Sequence, residues 1–201
     1  MPPSTPLLRP RSYFERFDRP SLARGAGFVT ANAVLLPVVL WWFVGTALGR
    51  LDAPQADLQR ARNSVTGEIV FVFFAVFFGW VLLAAFFHLF VWFADGSSGF
   101  GTTLAVVGEA EVVTLLTLPV VVVVFQSLLG QLPSDPEAAA AFMRRAANRQ
   151  QPSLLVVSLV GTVWRAVVTG YGLAEGHDMP TEKALALAFV VGILGFLLNL
   201  A

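Results

Sequence analysis

Two long apolar runs, joined by a short polar connection, constrain this chain more than any other feature. The first runs from Ile69 to Phe93 and the second from Leu104 to Leu132. Between them lies Ala94-Asp-Gly-Ser-Ser-Gly-Phe-Gly-Thr-Thr103. Each run exceeds the ~20 residues that a helix needs to cross a bilayer core. An isolated strand would leave its backbone unsatisfied in lipid, so the runs are expected to be helices. A connection this short then allows only an antiparallel hairpin through the membrane.

Composition leads the same way. The chain is 56% apolar and 13% charged, against ~25% charged in an average soluble protein. Formal net charge is zero, which leaves no global field to attract nucleic acid. There is no cysteine, hence no disulfide, thiolate nucleophile or cysteine-ligated metal. Two histidines do not by themselves make a zinc site. No Walker A sequence and no G-x-G-x-x-G helix start supports nucleotide binding. No metal and no cofactor is expected.

The fold class expected is an all-α integral membrane bundle of five transmembrane helices. Residues 1–26 form a basic tail. Tyr13, Phe14 and Phe17 share one face of a short helix, with Arg16 and Arg19 off it. That pattern suits a helix lying in the headgroup region; the alternative is a frayed tail. No A-x-A site follows the first apolar run, so cleavage of a leader is not expected. The membrane domain covers 27–201, with spans at about 27–49, 69–94, 103–132, 153–174 and 181–200. Pro37 and Pro119 fall inside spans, which membrane helices tolerate. Residues 50–68 read as a polar loop. Asp135, Pro136 and Glu137 carry the signals that open a helix, here a short surface helix over 136–150. The tail holds more arginine than the next loop, which places the N-terminus in the cytoplasm and the C-terminus outside the cell membrane.

Four ionisable residues fall within spans: His88, Glu109, Glu111 and Arg165. At 1.5 Å per residue they lie at a similar depth, roughly 9–14 Å from one side. A central arginine costs about 2.5–3.5 kcal/mol to insert, and each Leu or Val of that span returns only about 0.3–0.6 kcal/mol. Arg165 should therefore find an acid. Glu109 and Glu111 point about 200° apart on one helix, so one neighbour does not meet both. Glu111 shares a polar stripe with Thr103, Thr114 and Thr117, and Glu111–Arg165 is the expected inward pair. Such a cluster serves either as an ion, proton or anionic-substrate pathway or as a structural pair that fixes helix register. His88, beside Phe86 and Phe87, reads as a hydrogen-bonded packing residue.

Gly96, Gly99 and Gly101 mark a flexible turn in which glycine supplies positive φ. Gly96-Ser97-Ser98-Gly99 is similar to the G-x-S-G of rhomboid-type intramembrane proteases. Those proteases need a histidine on a later span, and the later histidine here, His177, reads as loop. The turn is the better account. Ala184, Ala188 and Gly192 recur every four residues and form a seam that permits close helix approach.

The chain also resembles the Yip family, the Ypt/Rab-interacting multi-pass membrane proteins. The likeness is carried by Gly96 to Thr103 with Phe100, by Leu104-Ala-Val-Val-Gly108, by Trp164 and Gly172, and by the segment from His177 to Ala184. Pro10-Arg-Ser-Tyr-Phe14 is similar to the basic-aromatic lead-in of prokaryotic members. Glu109 after Gly108 departs from the family, where an aromatic often follows that glycine. The long cytosolic domain of eukaryotic members, with its Asp-Leu-Tyr-Gly-Pro-like segment, is absent, and binding of a Rab-type GTPase is not expected. The resemblance implies a five-span membrane fold and a non-enzymatic organising or scaffold role. The partners it implies are the lipid bilayer, other membrane proteins or a second copy. The alternative is a small transporter or channel built on the charged cluster.

Overall fold

Ser21 begins the first long element. Its extended backbone and its side chain, which accepts the Arg24 N–H at 3.3 Å, cap helix α2 (Leu22–Leu48). The computed structural model describes residues 5–16, 20–94, 96–97, 99–148 and 152–198. A short helix α1 (Pro10–Phe14) precedes α2. The remaining helices are α3 (Gln55–Phe93), α4 (Phe100–Gly130), α5 (Pro136–Asn148), α6 (Pro152–His177) and α7 (Thr181–Leu198). Among the described residues the protein is all-α. Five helices, α2, α3, α4, α6 and α7, are long and apolar enough to cross a membrane. Phe17, Arg19, Ser98 and the expected helix ends at 149–150 and 199–200 lie outside the described residues.

The spans differ from the sequence expectation mainly at their ends. The segment 50–68, expected as a polar loop, is helical from Gln55 and runs without a break into the apolar stretch. Polarity suggests a loop, but after Pro54 nothing in this segment is strong enough to end a helix. Gln, Ala, Leu and Arg are good helix formers. Gln59 bonds Asn63 at 3.0 Å, Arg60 pairs with Asp57, and the Thr66 hydroxyl donates to the Arg62 carbonyl at 2.8 Å. The resulting 39-residue helix is roughly 58 Å long at 1.5 Å per residue, about twice the hydrocarbon thickness. α2 begins before Gly27, and α6 continues past Ala174 to His177. His177 thus closes a helix instead of sitting in a loop.

α4 is the centre of the bundle. From Thr103 to Val113 nearly every residue is buried, and α2, α3 and α6 pack around it. α2 runs parallel to it and touches it backbone to backbone. A Cβ on Gly108 would stand 2.8 Å from the Gly25 Cα, and one on Gly25 would stand 2.7 Å from the Ala105 carbonyl oxygen. α7 packs on α6, with Ala184 and Ala188 buried and Gly192 facing Thr162. The small-residue seam is therefore filled from within the chain.

The two ends of the bundle close differently. At one end Phe43, Leu128 and Leu129 pack with Phe125, Phe142 and Met143, so that α5 folds back under α2 and α4. Arg50 donates to the Leu129 carbonyl, and the Asp52 N–H donates to the Ser134 carbonyl at 2.8 Å. Asp135 caps α5 through the Ala138 N–H at 2.7 Å. At the other end the tail turns back along the bundle. Tyr13 and Phe14, expected among headgroups, are buried against Ala110, Val113 and Val168. Trp164 Nε1 donates to the Leu7 carbonyl at 2.9 Å and pins the tail in the groove between α4 and α6.

The turn between α3 and α4 uses its glycines differently from expectation. No described glycine has positive φ. Gly96 is needed because a Cβ there would collide with Val91, whereas Gly99 and Gly101 have open space around them. The left-handed residue is Asp178, at φ 53° after α6. The Met179 N–H reaches back to the Ala174 carbonyl at 3.0 Å, which ends α6 in a Schellman-type turn. The Ser97 hydroxyl donates to Asp178 Oδ2 at 2.8 Å and fastens the two connections together.

Candidate functional site: a buried polar layer

The polar groups that apolar helices tolerate least gather at the tail end of the bundle, in three sets. The first surrounds Glu109, whose side chain is fully buried. Its Oε1 accepts the Ser21 N–H at 2.8 Å and the Arg24 Nη2 at 3.3 Å. The carboxylate thus sits at the N-terminus of α2, where unpaired N–H groups and the helix dipole favour negative charge. Arg24 in turn lies 5.3 Å from the centre of the Tyr13 ring. Burial pushes the Tyr13 phenol well above its usual range, and Glu109 beside it adds to that shift.

The second set joins three helices. Arg165 of α6 pairs with Glu111 Oε1, and Asn32 Nδ2 of α2 donates to Glu111 Oε2 at 3.2 Å. A carboxylate offers only acceptors, which fixes the amide nitrogen of Asn32 toward it. The Arg165 side chain is 32% exposed and that of Glu111 only 7%. The guanidinium is the outward half of the pair. It lines two clefts, one between α4 and α6 and one between α3, α6 and α7. Counted along α6, Arg165 is about twelve residues, roughly 18 Å, from His177.

The third set lies closer to the end. Thr103 Oγ1 is 3.0 Å from His88 Nδ1 and 2.9 Å from His177 Nε2. One hydroxyl can donate to one ring and accept from the other, so Thr103 ties α3, α4 and α6 together. His88 also meets the Phe100 ring edge-on, with centroids 5.5 Å apart.

The four ionisable residues singled out in the sequence are therefore divided. Glu111 and Arg165 meet. Glu109 turns to the other side of α4 and finds Arg24. No hydrogen bond links His88 to either glutamate among the described residues. Sequence reasoning missed Ser21, Tyr13, Arg24, Asn32 and His177 as participants, and it set Thr103 on the stripe of Glu111, whereas the structure gives its hydroxyl to His88 and His177. Two of them left a trace. Asn32 is a lone amide in an apolar run, and Ser21 stands three residues before Arg24 as a helix cap. The Ser97 hydroxyl bonds Asp178 and the His177 carbonyl at 3.4 Å, not a histidine ring.

Five apolar helices whose few buried charges close on one another define an integral, multi-pass helical membrane protein. The Yip1 domain family model matches residues 6–201, and the chain belongs to that family. No curated protein and no solved structure matches it.

Proposed function

We propose that the protein is a non-enzymatic organiser of the cell membrane that works through contacts with lipid and with other membrane proteins or a second copy. One observation carries this. The polar groups are spent on joining helices, while the outward surface is a broad apolar face. Phe71, Phe74, Phe78, Leu82, Trp92 and Phe93 of α3 are all exposed along that helix. Such a face meets acyl chains or another membrane helix. The small-residue seam on α7 is not the contact surface, since α6 already occupies it. Photo-crosslinking residues at Phe74 and Phe78, activated in native membranes, test the proposal. Discrete adducts with membrane proteins or with a second copy are expected. Adducts with lipid alone argue against it.

A transporter or channel remains a second proposal because Arg165 borders two clefts. Proton and chloride flux into liposomes separates the two. If Glu111→Gln and Arg165→Gln leave the flux at wild-type level, the transporter is eliminated.

The N-terminus is proposed to face the cytoplasm. The chain has no native cysteine, so single cysteines report sidedness directly. An impermeant maleimide should label Ser134→Cys in intact cells and leave Ser97→Cys unlabelled. The reverse pattern inverts the topology.

A further inference from the structure

Two clefts meet at the turn between α2 and α3, at the end of the bundle away from the tail. The outer one is polar. It holds ≈ 300 Å³, and Asp52, Gln55, Gln59 and Arg62 line it. That is the lower bound of the ~300–1,000 Å³ of small-molecule sites. The inner one is a shallow apolar strip over Trp41, Val44 and Val65. Leu48 and Arg62 border both, so the two are continuous. Both walls run the same way. Passing from Leu48 to Trp41 on α2 leads into the bilayer, and so does passing from Gln55 through Arg62 to Val65 on α3. Polar outside and apolar inside is the polarity of a lipid in this leaflet. The depth fits as well. Leu48 is the last residue of α2. Arg62 stands about seven residues, roughly 10 Å, before the apolar run that opens at Ile69. Trp41 and Trp42, exposed just inward of Leu48, are the aromatic residues that mark a membrane interface.

The charges of the outer cleft are not spent on the protein. Three arginines flank the turn. Arg50 donates to the Leu129 carbonyl, and Arg60 pairs with Asp57. The Arg62 guanidinium and the Asp52 carboxylate make no hydrogen bond among the described residues, and no ion pair joins them to each other. One cation and one anion that line a single cleft without pairing complement a zwitterion. A phosphate suits the guanidinium, whose parallel N–H groups match its oxygens. A primary ammonium, which has only donors, suits a carboxylate, which has only acceptors. A quaternary ammonium has no N–H to give. An anionic headgroup without an amine would leave Asp52 facing a like charge.

We propose that the cleft at the α2–α3 turn holds the headgroup of one phosphatidylethanolamine, with its phosphate on Arg62, its ammonium on Asp52 and an acyl chain over Val65 and Trp41. This rests on the proposed role in lipid contact and names the site and the ligand class. The strip is too shallow to enclose the chain, so the headgroup supplies the selectivity. Neither side chain bonds the protein, so Arg62→Gln and Asp52→Asn should melt as the wild type does, and a loss of lipid is then not a loss of fold. Arg60→Gln removes the same charge from the same helix outside the cleft and serves as the control.

The test is native mass spectrometry of the full chain, released from mild detergent after incubation with equimolar phosphatidylethanolamine and phosphatidylglycerol. The wild type should keep one phosphatidylethanolamine through delipidation. Arg62→Gln should lower its occupancy about tenfold, equivalent to roughly 1.4 kcal/mol, and Arg60→Gln should leave it unchanged. Asp52→Asn should abolish the preference over phosphatidylglycerol. A lipid-free wild type, equal retention of the two lipids by the wild type, or full occupancy in Arg62→Gln would overturn the site. Excess glycerophosphoethanolamine, which has the headgroup and no chain, should displace no lipid. Full displacement would assign the cleft to a free headgroup and remove the lipid. A photoactivatable phosphatidylethanolamine gives a readout independent of any variant. Its adducts should map to residues 41–65, and adducts spread evenly over the apolar belt refute the site. Crosslinks from Phe74 and Phe78 to protein partners should survive in Arg62→Gln, so loss of the lipid site and loss of the organising role are distinguishable.

Discussion

A single carboxylate, that of Glu109, decides how the tail end is built. It is buried at the start of α2 and ties Ser21 and Arg24 to α4, with Tyr13 stacked beside them. Because the Tyr13 phenol is pushed up in the folded state, the docked tail favours the protonated ring. Below the ordinary tyrosine pKa of ~10 this contribution is fully present. Above ~10 the undocked state loses its proton while the docked state keeps it, so stability falls as pH rises. Limited proteolysis of the tail in nanodiscs should accelerate between about pH 10 and 11, and Tyr13→Phe should flatten that dependence. The Glu111–Arg165 pair invites a different test. Removing one partner leaves a buried charge, which costs about 3–5 kcal/mol. Glu111→Gln and Arg165→Gln should each lower the melting temperature sharply. The double variant should recover much of the loss, and additive losses would contradict the pairing. Asp178 holds a left-handed turn and accepts from Ser97. Asp178→Ala should destabilise by about 1–2 kcal/mol, while Asp178→Asn, which tolerates that conformation, should lose less.

At the scale of elements, close approach sets the packing. Gly25 and Gly108 let α2 and α4 run parallel with their backbones in contact, the arrangement that small residues allow in lipid. Gly108→Ala places a methyl group against backbone atoms that no side-chain rotation can move aside. It should cost about 1–3 kcal/mol, read as a lower melting temperature in detergent, whereas Gly101→Ala, with open space, should be neutral. α3 shows where sequence reading stops short. Its apolar two-thirds were legible because lipid leaves helices no alternative. Its polar first third was not, because polarity marks exposure and says nothing of backbone conformation. The same confusion hid the last turn of α6: the residues around His177 look like a connection, yet they are helical and His177 is buried against Thr103.

Across the whole molecule, the bilayer makes architecture easier to read than chemistry. Each span needs about 20 apolar residues, so five runs of sufficient length announce five crossings. Charged side chains within them must be met, and an acid for Arg165 followed from insertion cost alone. Which acid, and what else would join, depended on register. The angular argument separated Glu109 from Glu111, but it had no means of locating Arg24, because that residue stood in a segment read as tail. In the sequence Tyr13 and Phe14 read as an amphipathic face suited to headgroups, and the fold turns that face into protein. An apolar stripe does not say whether lipid or another helix will cover it.

The bond between Trp164 and Leu7 joins residues 157 positions apart, and that separation has a consequence in time. The groove receiving the tail does not exist until α6 has been synthesised and set beside α4. Tail residues made before every span are then among the last to reach their places. A bulky group fused to them would leave insertion of the helices intact and obstruct only the final closure.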